Sequence, residues 1–148
     1  GNAVTSWGGN SGSDEETFKP GAELLMATSI TYFIATGTSG RPSLWQNNNG
    51  NNLELLEGVD DMSVNYGVDN NGDYVPDAYL PATGIAAADW AKVVALRVEL
   101  LVSSIDDGVL PETQTYSFEG VDGVTPTPVD KRLRQVFSST VGIRSRSF

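Results

Sequence analysis

Asp69, Asn71, Asp73 and Asp77 occupy positions one, three, five and nine of the segment Asp69-Asn70-Asn71-Gly72-Asp73-Tyr74-Val75-Pro76-Asp77, and the Val75 carbonyl falls at position seven. Calcium is a hard cation that takes six to eight oxygens, and a curling loop offers them from alternate residues with one main-chain carbonyl between. The spacing therefore describes a candidate calcium loop with Asp69, Asn71, Asp73, Val75 and Asp77 as its donors. Two positions depart from the EF-hand pattern: the sixth is Tyr74 rather than glycine, and the twelfth is Leu80 rather than a bidentate glutamate. A weaker, partly hydrated site is what the pattern supports. The alternative is a hairpin connection in which Asn71-Gly72 forms the turn and the carboxylates face water.

No other group of residues gathers chemistry as clearly. The chain has 148 residues with no Cys and no His, which removes disulfides, thiolate nucleophiles, ordinary zinc sites and imidazole acid–base catalysis. Glu57 with Asp60, Asp106 with Asp107, and Asp14 with Glu15 are carboxylate pairs of the sort a glycosidase sets across a cleft. With 19 acids in a chain this short, such pairs are inevitable, and they read as solvated surface. No Ser-x-x-Lys spacing occurs, and Gly37-Thr38-Ser39-Gly40 lacks the lysine of a phosphate loop. Catalytic residues are therefore expected to be absent. The net charge is −10, and residues 131–148 hold five cations and no carboxylate, so residues 1–130 carry −15. A nucleic-acid backbone would be repelled by that body.

These residues must be positioned by strands. The chain is long enough for one domain and has no apolar run of the roughly 18–20 residues that a membrane-spanning helix needs. Residues 1–21, rich in Gly, Ser, Asn and acid, read as a flexible or loop-rich lead-in with Trp7 and Phe18 as anchors; residues 22–148 read as a single β-rich domain. Ile30, Tyr32 and Ile34 alternate with strand-forming neighbours up to the turn at 37–40. Pro42 to Gln46 predicts a second strand, and the Asn-rich run 46–52 a hairpin tip. Leu53 and Leu55, then Met62, Val64, Tyr66 and Val68, recur at period two, with a bulge or break expected at Gly58 and a short helix there as the alternative. Asp89 to Lys92 predicts one helical turn capped by Asp89. In the strand that follows, Val94, Leu96, Val98, Leu100 and Val102 are expected to face the core, and Arg97, Glu99 and Ser103 water. Residues 105–130 read as loop with a short strand at 115–118, and a long final strand includes Arg134, Val136 and Ser138.

Four segments in order resemble the minor pilins of the PilW type. They are Ser39-Gly40-Arg41-Pro42-Ser43-Leu44-Trp45; Leu55 to Met62 leading to Tyr66-Gly67-Val68-Asp69; Asp89-Trp90 with Val93 to Leu101; and Asp130-Lys131-Arg132-Leu133-Arg134-Gln135-Val136-Phe137 with the residues to Val141. The resemblance implies an α+β, mostly antiparallel domain of the pilin/pseudopilin kind, related to the pseudopilins of type II secretion. It implies the soluble C-terminal part of a protein whose long apolar N-terminal helix is not in this sequence. By the same resemblance the chain is a structural, non-enzymatic minor pilin. It would help initiate type IV pilus assembly at or near the tip, with other minor pilins and the major pilin as partners. It would sit in the inner membrane and periplasm of a Gram-negative bacterium before assembly and in the extracellular pilus afterwards. The alternative function is a calcium-dependent adhesive or glycan-binding module that uses the loop at 69–77.

Overall fold

The computed structural model describes residues 27–118 and 127–143; the predicted lead-in at 1–21 lies outside them. Among the described residues seven strands form two antiparallel sheets. The first contains β1 (Ile30–Thr36), β2 (Pro42–Asn48) and β3 (Asn51–Glu57) in the order β1-β2-β3. The second contains β4 (Val59–Val68), β5 (Ala78–Pro81), β6 (Val93–Ser103) and β7 (Arg134–Gly142) in the order β5-β4-β6-β7. Helix among the described residues is confined to the 3-10 segments Ala82–Gly84 and Ala87–Lys92, so the α part of the expected α+β class is not seen in them and the architecture is antiparallel β. None of their helices is long and apolar enough to cross a membrane.

Local chemistry explains the turns. Asn49 and Gly50 both have positive φ, 50° and 90°, the requirement of the two-residue turn that best matches strand twist, and the Asn47 side chain accepts the Gly50 N–H at 3.1 Å. Gly58 carries the chain from one sheet to the other. Its N–H donates to the Pro42 carbonyl of β2 at 2.9 Å, and its carbonyl accepts the Ser103 N–H of β6 at 2.8 Å. Its φ is +78°, and a Cβ there would stand 2.8 Å from the Ser103 carbonyl oxygen, so both conformation and space demand glycine. The two sheets meet around this point, where Ser43, Val59 and Leu101 are fully buried.

A second cluster closes the far end of β4. Val68, Ile85 and Val93 are buried there with Tyr66, Leu80 and Ile143 against them, and Trp90 meets Tyr66 edge-on at 4.9 Å between ring centroids. The helical turn predicted near Asp89 is present but begins earlier, at Ala87, with Ala86 in the N-cap position and no side-chain cap; Asp89 instead pairs with Lys92 at 2.8 Å. Residues 115–118 form no strand.

The two faces of β6 differ from the alternation expected of it. Its most buried residues are Val93, Ala95, Leu101 and Ser103, while Val94, Leu96, Val98, Leu100 and Val102 are only half-buried. The face bearing Arg97 and Glu99 is thus buried at both ends of the strand, with Arg97 and Glu99 themselves half-buried rather than wet. Small residues make this possible: at Gly67 a Cβ would lie 2.9 Å from Pro76 Cγ and 3.1 Å from Ala95 Cβ, so the segment after β4 packs down on that side. The Tyr79 ring lies over the Arg97 guanidinium at 3.8 Å, a cation–π contact that accommodates the charge without a carboxylate.

Candidate functional site

The acidic segment forms the connection of the β4–β5 hairpin. Asp69 is buried at its base, and its carboxylate organises the loop: Oδ1 accepts the N–H groups of Asn71 at 3.0 Å and Gly72 at 2.7 Å, and Oδ2 that of Tyr74 at 2.8 Å. Burial alone would raise the Asp69 pKa, but the N–H groups of Gly72, Tyr74, Asn71 and Asp73 outweigh it and hold the carboxyl below its ordinary value. The same device repeats along the chain. Asn71 Oδ1 accepts the Asp73 N–H at 2.9 Å, Asp73 Oδ1 accepts the Val75 N–H at 2.8 Å, and Asp77 Oδ2 accepts the Asn70 N–H at 2.7 Å.

Of the five predicted donors, the structure brings the side chains of Asn71, Asp73 and Asp77 together. The Asn71 amide group stands 3.3 Å from Asp73 Oδ2 and 3.4 Å from Asp77 Oδ1, so a weakly positive NH₂ occupies the space between two carboxylates. Asp69 lies beneath, with both oxygens engaged by backbone. Val75 is exposed. Among the described residues no group of three or more acidic side chains converges closely enough to hold a metal ion. The donor set is nonetheless all oxygen, the class a hard cation requires. Tyr74 has φ +64°, so it adopts the left-handed turn that glycine supplies at position six of a calcium loop.

A second feature is the outward face of the four-stranded sheet. Strand register sets Met62, Leu100 and Phe137 in one row, Val64, Val98 and Ser139 in the next, and Tyr66, Leu96 and Val141 in a third. Phe137 and Val141 are 53% and 55% exposed, and β4 and β6 contribute half-buried side chains, so this largely apolar face lacks a full covering layer.

Of the carboxylate pairs noted in the sequence, Asp14 and Glu15 lie outside the described residues, and one member of each of the other two, Asp60 and Asp107, has a structural duty. Asp60 accepts from Ser103 Oγ at 2.8 Å and from Arg134 Nε at 2.7 Å; Asp107 accepts the N–H groups of Lys131 and Gly108, which hold its pKa below the ordinary value. Arg134, 9% exposed, is the charged centre that sequence reasoning missed. Besides Asp60 it binds Asp130 through both terminal nitrogens, at 2.5 and 3.0 Å, and this pairing pulls the Asp130 pKa down to about 2. The signal for it was the Asp130–Arg134 spacing of opposite charges. Nearby, Arg41 and Arg132 both donate to the Ser104 and Ile105 carbonyls, which pins β2 and the segment before β7 to the end of β6.

With this geometry in view, comparison with known proteins is informative at the level of family. The family described as Type IV Pilus-assembly protein W matches residues 31–145, from β1 through β7. No curated protein and no solved structure matches the chain.

Proposed function

The chain belongs to the type IV pilus-assembly protein W family, and we propose that it acts within that process as a minor pilin that helps initiate the filament at or near its tip. Its partners on this reading are other minor pilins and the major pilin. Its work is surface complementarity rather than catalysis: the carboxylates that could act as acids or bases at Asp60, Asp107 and Asp130 are committed to holding the fold together. The observation that carries the reading is the half-bare apolar face of β4, β6 and β7 within a chain of this family. We assign that face to the N-terminal helix which the resemblance implies, so that the globular domain and the filament core meet there.

The test is made in the full-length protein. Phe137→Asp and Leu96→Asp should abolish co-purification with the other minor pilins, while the melting temperature of the soluble domain falls by only a few degrees. Co-purification at the wild-type level with both variants would refute the assignment of this face.

A stabilising calcium ion in the loop at 69–77 is the second part of the proposal, supported by the glycine-like backbone of Tyr74 and by the two carboxylates facing the Asn71 amide. Asp69, Asn71, Asp73, Asp77 and the Val75 carbonyl would hold it. A ligand that binds only the folded state raises the melting temperature by mass action. Thermal melts with millimolar calcium and with chelator should therefore differ, and Asp73→Ala should erase the difference. Identical melts would remove calcium from the account.

A further inference from the structure

The edge of β7 is built differently from those of β3 and β5, and it is longer than the uncharged edge of β1, nine residues against seven. Exposed strand edges offer unsatisfied N–H and C=O groups, and proteins usually protect them with charge, proline, bulges or short length. β5 is four residues long and ends in Pro81; β3 carries Glu54 and Glu57 and faces a register shift at Leu44/Trp45. β7 has none of these devices. It pairs with β6 over nine residues without a register shift, residues 135–143 contain no charge and no proline, and from Gln135 to Gly142 every residue except Val136 is exposed.

The direction of its backbone groups follows from the two ends of the ladder. Ser104 N–H donates to the Leu133 carbonyl and Ile143 N–H donates to the Val94 carbonyl, both at 2.8 Å. With the register unbroken between them, Gln135, Phe137, Ser139 and Val141 bond inward to β6, and Arg134, Val136, Ser138, Thr140 and Gly142 turn their N–H and C=O outward. Arg134 confirms the parity. Its N–H donates to Gln114 Oε1 at 2.7 Å and its carbonyl accepts from Gln114 Nε2 at 2.9 Å. A carboxamide, the chemical twin of a peptide group, is thus already docked on this edge as a strand would be. Among the described residues no partner meets the outward groups of Val136, Ser138 and Thr140.

We infer that β7 is a self-pairing edge, through which two copies of this chain join as an antiparallel, two-fold pair centred on Ser138. Val136 then faces Thr140 of the second copy and Ser138 faces Ser138, three outward-facing pairs that each exchange two N–H···O bonds. The ladder stops where Gln114 already occupies Arg134. The segment is self-complementary in charge, because nothing between residues 135 and 143 can repel its own copy. Like faces stay together: Phe137 and Val141 lie beside Ser139 and Gln135 of the other copy, so the apolar face continues across the pair. Because the same patch serves both copies, the contact is isologous and closes at two. The pairing rests on the edge alone and stands or falls separately from the role in pilus assembly.

Sedimentation of the chain from micromolar to millimolar concentration tests this at physiological salt, where the repulsion of two −10 bodies is largely screened. A reversible monomer–dimer equilibrium is expected. Ser138→Pro removes an outward donor without touching the bonds to β6, a substitution edge strands tolerate, and should eliminate the dimer. Thr140→Lys should do the same and serves if the proline variant melts early. The chain has no cysteine, so Ser138→Cys introduces a single thiol. Across the two-fold its Cα atoms would be about 5.5 Å apart, within the disulfide range of roughly 4.4–6.8 Å. Oxidation should give a covalent dimer, and Gly142→Cys, far from the axis, should not. A monomer at every concentration would overturn the inference. So would a dimer that survives both edge variants, or one lost on Tyr32→Lys in β1, the other uncharged edge.

Discussion

Replacing Arg134 with Met keeps the length and apolar stem of the side chain but removes the cation shared by Asp60 and Asp130. The backbone of β7 remains held by β6 and Gln114, so the loss falls on the two carboxylates. Breaking one side of a buried ion pair costs about 3–5 kcal/mol because a charge is left without compensation. Here the acids are 17% and 24% exposed, so water recovers part of that and about 2–3 kcal/mol remains. With a urea slope of about 1–3 kcal/mol per molar, the denaturation midpoint should fall by about 1–2 M at neutral pH. The pH dependence checks the cause. Asp130 has its carboxyl lowered from 3.8 to about 2 in the folded state, so its contribution is fully present above the unfolded value and is lost as pH falls through the folded one. The shift corresponds to at most about 2.5 kcal/mol, and solvent at this partly exposed group reduces it to about 1. Arg134→Met should therefore lie well below the wild type at pH 7 and approach it as pH falls from 4 toward 2. A midpoint shift under about 0.3 M, or one that does not narrow in acid, would refute the idea that this ion triad joins β4 to the segment before β7.

Leu101→Ala should cost about 2–5 kcal/mol in urea denaturation, whereas Leu96→Ala on the half-covered face should cost clearly less; equal losses would mean that both faces of β6 are core. Gly58→Ala should destabilise far more than Gly72→Ala, since both glycines have positive φ but only Gly58 has a carbonyl in the way of a Cβ; comparable melting points would remove the steric part of that argument. Tyr74→Gly should raise stability by about 1 kcal/mol through relief of its left-handed backbone, and should tighten any calcium binding measured by calorimetry. A Tyr74→Gly variant less stable than the parent would show that the exposed ring contributes more than its backbone costs.

Strands were legible where a residue-level rule has only one solution. Alternation placed β1, β4, β6 and β7, and the Asn-rich run at 46–52 placed a hairpin tip, although the strands continue to Asn48 and from Asn51 and leave only Asn49 and Gly50, with positive φ, as the turn. Gly58 announced a break; that it passes the chain between two sheets depends on Pro42 and Ser103, sixteen and forty-five residues away. What failed was the assignment of inside and outside. Alternation tells which residues share a face and is silent about which face the rest of the chain covers. In β6 the apolar set is the more open one, because Gly67 and Ala95 leave room for Pro76 on the opposite side and Tyr79 shelters Arg97 there. The acidic loop shows the same limit from the other direction. Donor spacing identified Asp69, Asn71, Asp73 and Asp77, but spacing could not show that Asp69 would spend its oxygens on the N–H groups of Asn71, Gly72 and Tyr74. A carboxylate used this way shapes the loop whether or not a cation is present. The decisive quantity is therefore whether Asp73 and Asp77, each of which gives one oxygen to a backbone N–H and turns the other toward the Asn71 amide, are stabilised by calcium beyond what these contacts already provide.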